Sequence, residues 1–349
     1  MGEAEERDPF AARDAARAMM RQTLQVSASP RRDQAGQDKP KRFAAMVMAL
    51  AIAAICAGAG IVWVLAGHPA AIVQPGPPPS FLPAPQPAPP AWVVQSAADE
   101  AALLAAPTDR LRIYRLAAAP SILVLLFPSL HAQALALNRV GAFVEKRDAP
   151  RDRVLDDAEL RAKAEATPGG FDGYYYGHDY RVADLARFFA VAAGQGVALR
   201  PEERALQAGL TDLPVPPEGG VGAIVTLPPL SASPAIGATD RAAILRHELA
   251  HGVYFTDAAY AAYVQRFWQQ SMSAAERAGF RRFLGTEGYD VANEDLVCNE
   301  MQAYLIHTPD PRYFSPGLAG LAPARAAALR ADFVASMPAS WLRDVTARR

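Results

Sequence analysis

Residues 247–251 read His-Glu-Leu-Ala-His. On a helix, positions four apart point in nearly the same direction, so the two imidazoles share a face about one turn apart. Two ring nitrogens at that spacing can hold one divalent cation, and Zn2+ takes nitrogen at roughly 2.0–2.1 Å. Glu248 lies beside that face, within reach of water at the metal but not of the metal itself. Bound Zn2+ lowers the pKa of water towards about 7, so a carboxylate can complete its activation at neutral pH. The bland alternative is a surface helix with two unrelated histidines. With six histidines in 349 residues, chance rarely produces this spacing.

A catalytic zinc site needs a third protein ligand and one open position. Three carboxylates downstream compete for that place. Glu300 stands in NEDLVCNEMQAYLIHT (293–308), a stretch that reads as a helix ending before Pro309, with Ala303, Tyr304 and His307 on the same face. Ala303 is small enough to let two helices approach closely. Tyr304 and His307 could orient a ligand or donate to a developing oxyanion, so both join Glu248 as expected catalytic residues. Glu294 lies two turns earlier. Asp257 stands where sites of the HExxHxxGxxH type carry their last histidine, but that arrangement needs a sharp turn where Tyr254 stands. If the helix continues past 254, residue 257 points away from the metal. Glu300 ranks ahead of Glu294 and Asp257, and the expected metal set is His247, His251 and Glu300.

Several elements must position these residues. LRIYRL (111–116) and SILVLLF (121–127) read as strands, and GAIVTL (222–227) as another. Helices are expected over 131–146, 182–193 and 201–210, and the motif helix opens at Thr239 or Asp240. Ser273 and Glu276 form a capping box for a helix to about Leu284. Strands first and helices after predict an α+β domain. The tyrosine-rich FDGYYYGHDYR (171–181) reads as an ordered loop capped by Asp179 more readily than as a cleft wall. Tyr254, Tyr260 and Tyr263 read as core, and Cys298 as a small buried residue.

HELAH on one helix with a distant NExxAY on a later one resembles the gluzincin branch of the zincin metallopeptidases. The resemblance covers about 222–307 and rests on His247, Glu248, His251, Asn299 and Glu300. It implies a zincin-like domain with a small sheet and an active-site helix, followed by a mostly helical part. It also implies one catalytic Zn2+, peptide-bond hydrolysis by a metal-activated water, and strand 222–227 as the sheet edge that receives an extended substrate. At residue 304 the sequence departs: many members carry an acidic residue there to hold a ligand histidine, and here Tyr304 stands. The partner of that histidine is left unassigned.

The rest of the chain bears on location. From Phe43 to Ala66 the sequence carries no charge over 24 residues, and a spanning helix needs roughly 20. Arg21, Arg31, Arg32, Lys39, Lys41 and Arg42 precede it, whereas no Lys or Arg occurs from Gly67 to Asp109. That asymmetry places the N-terminus in the cytoplasm and the C-terminal bulk beyond a cell (inner) membrane, in a periplasm-like space. Ten prolines between Pro69 and Pro90 make a semi-rigid spacer. The expected organisation is a polar cytoplasmic tail (1–42), one transmembrane helix (43–66), a Pro-rich linker (67–91) and a metallopeptidase domain (92–349). Cys56 and Cys298 are the two cysteines, and a disulfide framework is excluded. A net charge of -1 without a basic stripe argues against nucleic acid.

The sequence therefore predicts a single-pass, membrane-anchored zinc peptidase acting on a peptide or protein substrate, with lipid contacted through 43–66. The alternative is a non-catalytic, zinc-stabilised binding domain of the cell envelope. An intramembrane protease is rejected, because the spanning segment holds no ligand.

Overall fold

A computed structural model describes residues 92–347, apart from 168, 212, 214–221, 233–234 and 309. The expected tail, spanning segment and linker lie outside the described residues. Among the described residues, no helix is long and apolar enough to cross a membrane.

Five strands form one sheet: β1 (Val94–Ala98), β2 (Arg112–Leu116), β3 (Ile122–Leu126), β4 (Asp179–Arg181) and β5 (Ala223–Leu227). Their order is β1-β2-β3-β5-β4, with β1/β2 and β3/β5 parallel and β2/β3 and β4/β5 antiparallel. Five helices precede or interleave with β5: α1 (Glu100–Ala105), α2 (Leu130–Glu145), α3 (Asp157–Glu165), α4 (Val182–Gly194) and α5 (Pro201–Thr211). After it come α6 (Ala238–Thr256), α7 (Ala258–Gln270), α8 (Ala274–Thr286) and α9 (Glu294–Gln302). A π-helical turn (Ala303–His307) extends α9, a 3-10 turn follows at Pro316–Ala319, and α10 (Pro323–Ser336) and α11 (Trp341–Ala347) complete the helices among the described residues. The result is an α+β domain with a small mixed sheet and a mostly helical remainder.

β3 and β5 are buried at every residue, so neither shows the alternation of a half-exposed strand. Ile122, Val124 and Leu126 share one core with Ala223, Val225 and Leu227, and α6 covers it with Leu245, Leu249 and Val253. Leu123, Leu125 and Ile224 face a second core with Leu137 and Val140 of α2. Each such Leu or Val contributes roughly 1.5–3 kcal/mol by leaving water. Gly252 sets how closely α6 sits on the sheet, since a Cβ there would meet Ile122 Cδ1 at 2.9 Å.

Strands and helices alternate until β5 and helices dominate after it, in the order that the strands expected at 111–116, 121–127 and 222–227 and the helices expected between them imply. Three expectations need correction. β5 is an interior strand between β3 and β4, and β4 holds the edge expected of 222–227. The motif helix opens at Gly237: Asp240 occupies its third position and accepts the Gly237 N–H at 2.7 Å. The loop reading of 171–181 gives way at its end, where Asp179–Arg181 pairs with Val225–Ala223 as β4.

Candidate metal centre

α6 and α9 bring three ligand atoms to one point. His251 Nε2 and His247 Nε2 lie 3.1 Å apart, and Glu300 Oε2 stands 3.9 Å from the second and 3.8 Å from the first. A triangle with these edges has a common point about 2.1 Å from each atom, within the range of zinc–nitrogen and zinc–carboxylate bonds. His247, His251 and Glu300 form the group of metal-ligating side chains found among the described residues. Glu300 Oε2 is buried and has no hydrogen-bond partner, although it faces two imidazole nitrogens. His251 and Glu300 are buried and His247 is 13% exposed; donors held this close repel one another unless a proton or a cation lies between them. The donor set, two imidazoles and one carboxylate, fits Zn2+.

Neighbouring groups orient the ligands. His247 Nδ1 lies 2.9 Å from Thr308 Oγ1, and Thr308 donates its own proton to Ala303 O at 2.9 Å. The hydroxyl can then only accept from Nδ1–H, which leaves the lone pair of His247 on Nε2. Burial first, then His251 and His307, hold the His247 pKa well below its ordinary value, so the ring stays neutral. His251 turns Nδ1 towards Asp179 Oδ1 at 3.8 Å. Tyr289 is hydrogen-bonded to the Glu300 carboxylate.

Glu248 sits beside the ligands and is 5% exposed. Its carboxyl lies flat against the backbone of residue 177, where a Cβ would fall 2.0 Å from Oε1. Any side chain there would have to push the carboxyl aside. The Glu248 and Asp179 side chains are hydrogen-bonded to each other, which requires one of the two carboxyls to carry a proton. Burial first, then the Asp179 and Glu300 carboxylates, push the Glu248 pKa well above the carboxylate range. A cation among the ligands would act in the opposite sense.

The other expected residues fall elsewhere. Tyr304 does border the site, with its ring 4.7 Å from that of His247, but its hydroxyl is hydrogen-bonded to Tyr289. Tyr289 is hydrogen-bonded to both Tyr304 and Glu300, so Tyr304 reaches the ligand through it. His307 corrects the expectation of a catalytic histidine. Its Nε2 meets Tyr260 Oη at 2.9 Å and its Nδ1 meets Thr346 Oγ1 at 3.1 Å, so both nitrogens are engaged in packing. The π turn supplies the reason: one added residue rotates the positions after it, and Thr308 arrives at His247 instead. Glu294 accepts from Trp268 Nε1 at 2.6 Å and pairs with Arg281. Asp257 caps α7 by accepting from Ala259 and Tyr260 N–H.

Sequence reasoning missed Thr308, Tyr289 and the wall beyond Glu300. That wall holds buried Glu145 and half-buried Lys146, whose Nζ lies 5.4, 4.7 and 5.0 Å from the rings of Tyr174, Tyr175 and Tyr289. Lys146 donates to Glu287 O at 3.0 Å, and burial pulls its pKa down. The tyrosine run was the one visible signal for this wall. No family model, no curated protein and no solved structure matches the chain.

Proposed function

We propose that the domain is a zinc-dependent peptidase of zincin-like architecture, with His247, His251 and Glu300 as ligands and Glu248 as general base. The reading rests on one observation: Glu300 Oε2, delivered by a later helix, lies within 4 Å of both Nε2 atoms. Zinc held there supplies Lewis acidity, a fourth position for water and a water pKa lowered to about 7. Glu248 takes the proton of the attacking water and returns it to the leaving amine. For Glu248 to act as base, the proton of the Glu248–Asp179 pair must rest on Asp179, which then holds the Glu248 carboxylate in place by donating to it. Thr308 and Tyr289 hold His247 and Glu300 at fixed angles.

β4 supports a peptide as substrate. His178 O accepts from Thr226 N–H and Val182 N–H reaches Gly222 O, so the backbone groups of Asp179 and Arg181 face away from β5. An extended chain can pair with that free edge next to the metal. Anchoring through 43–66, with the domain outside the cytoplasm, belongs to the same proposal and rests on the sequence.

A second reading, a non-catalytic zinc-stabilised binding domain, draws on the burial of the ligands: their side chains are 13%, 1% and 2% exposed. Counting solvent coordinated to the metal separates the two, because a structural site closes its fourth position with protein. Glu248→Gln tests the catalytic reading. The variant should keep its zinc and its fold and lose about a hundredfold or more of peptide hydrolysis. Unchanged hydrolysis ends the peptidase reading.

A further inference from the structure

Away from the three ligands, a cavity of about 330 Å³ opens where α6, the π turn, α10 and α11 meet. Arg246 from α6 and Arg330 from α10 line it, together with Ile306, Val334, Thr346 and Ala347. Arg246 is 6% exposed, and a guanidinium buried that deeply needs acceptors for its five N–H groups. Its Nη2 pairs with Glu100, while Nε and Nη1 meet no acceptor among the described residues. Arg330 donates Nε–H to Leu305 O at 2.6 Å, and burial draws its pKa down with no carboxylate beside it among the described residues.

Two guanidinium groups therefore line one cavity, and no carboxylate is among the residues that line it. His307 and Thr346 are the other polar groups of the wall, and Ile306, Ala331, Val334 and Ala347 make the rest of it apolar. A planar fork matches a carboxylate in two parallel hydrogen bonds, and the methyl groups favour a ligand with a short hydrocarbon part. We propose that this cavity binds a small organic carboxylate, its anionic head on Arg246 and Arg330 and its apolar part against Ile306 and Val334. Arg246 belongs to the helix that carries His247, and Ile306 to the turn that leads to Thr308, so the cavity and the metal ligands share two elements.

The test is titration calorimetry on the purified full-length chain in neutral detergent, with hexanoate, acetate and inorganic phosphate as probes. Hexanoate should bind saturably at one per chain, about tenfold or more tighter than acetate or phosphate. Arg330→Leu should weaken it by about tenfold or more through loss of a charged hydrogen-bond partner. Ala331→Trp, at an exposed position on the cavity rim, should block binding without touching the Leu305 contact. Detergent enters every arm equally, and circular dichroism confirms that each variant folds. Unsaturable binding to the wild type, or equal binding of all three probes that survives Ala331→Trp, overturns the proposal.

Discussion

His247 Nδ1 meets the Thr308 hydroxyl at 2.9 Å while that hydroxyl is already committed to Ala303 O. One side chain thus fixes both the ring angle and the tautomer of a metal ligand, from the residue that closes the turn carrying Tyr304. Thr308→Val keeps the shape and removes the acceptor. Zinc affinity should fall about 10–100-fold, as for other orienting partners of ligand histidines, and Thr308→Ser should restore it. Chelator competition measures both variants, and a Val variant with unchanged affinity would show that Thr308 does not orient the ring.

Residue 177 tests the seat of the general base. A methyl group there would overlap Glu248 Oε1, so Gly177→Ala must push the carboxyl aside. The expected outcome is a variant with full zinc content and about tenfold or greater loss of kcat on a peptide library, since an ångström of misplacement costs that much or more. Wild-type turnover in this variant would place the working position of Glu248 elsewhere.

His178 is buried, and burial first, then the Lys146 charge, brings its pKa down to about 3. The unfolded chain titrates this ring near 6.5, so between those values the unfolded state binds the extra proton. The contribution of His178 is therefore fully present above pH 6.5 and lost as pH falls towards 3, at up to about 1.4 kcal/mol per pH unit. The buried carboxyls whose pKa is raised, Glu145 among them, act with the opposite sign in the same window. Denaturant midpoints at pH 5.0 to 7.0 should thus be compared between wild type and His178→Asn. The stability difference between the two should change with pH in the stated direction; a pH-independent difference contradicts a neutral buried ring.

Legibility in the sequence tracks distance along the chain. His247, Glu248 and His251 lie within five residues of one helix, so helical geometry alone relates them. Glu300 could be ranked above Glu294 and Asp257 because its helix carries a small Ala303 on the same face and Tyr254 resists the turn that Asp257 would need. Thr308 was beyond reach, since only the π turn, which no local pattern announces, rotates it onto His247 and turns His307 to Tyr260. Tyr289 and Asp179 meet the ligands through tertiary packing of short loops and a three-residue strand. The interior place of β5 was legible in principle: AIVTL is apolar on both faces, as a strand covered on both sides must be.

Zinc content most directly tests whether His247, His251 and Glu300 share one cation. Purified wild type and Glu248→Gln should each hold one zinc per chain by elemental analysis, Glu294→Gln should match them, and Glu300→Ala should hold little after dialysis against a weak chelator. A Glu300→Ala protein that keeps one zinc at wild-type affinity, or a folded wild type that takes up none, contradicts the shared site.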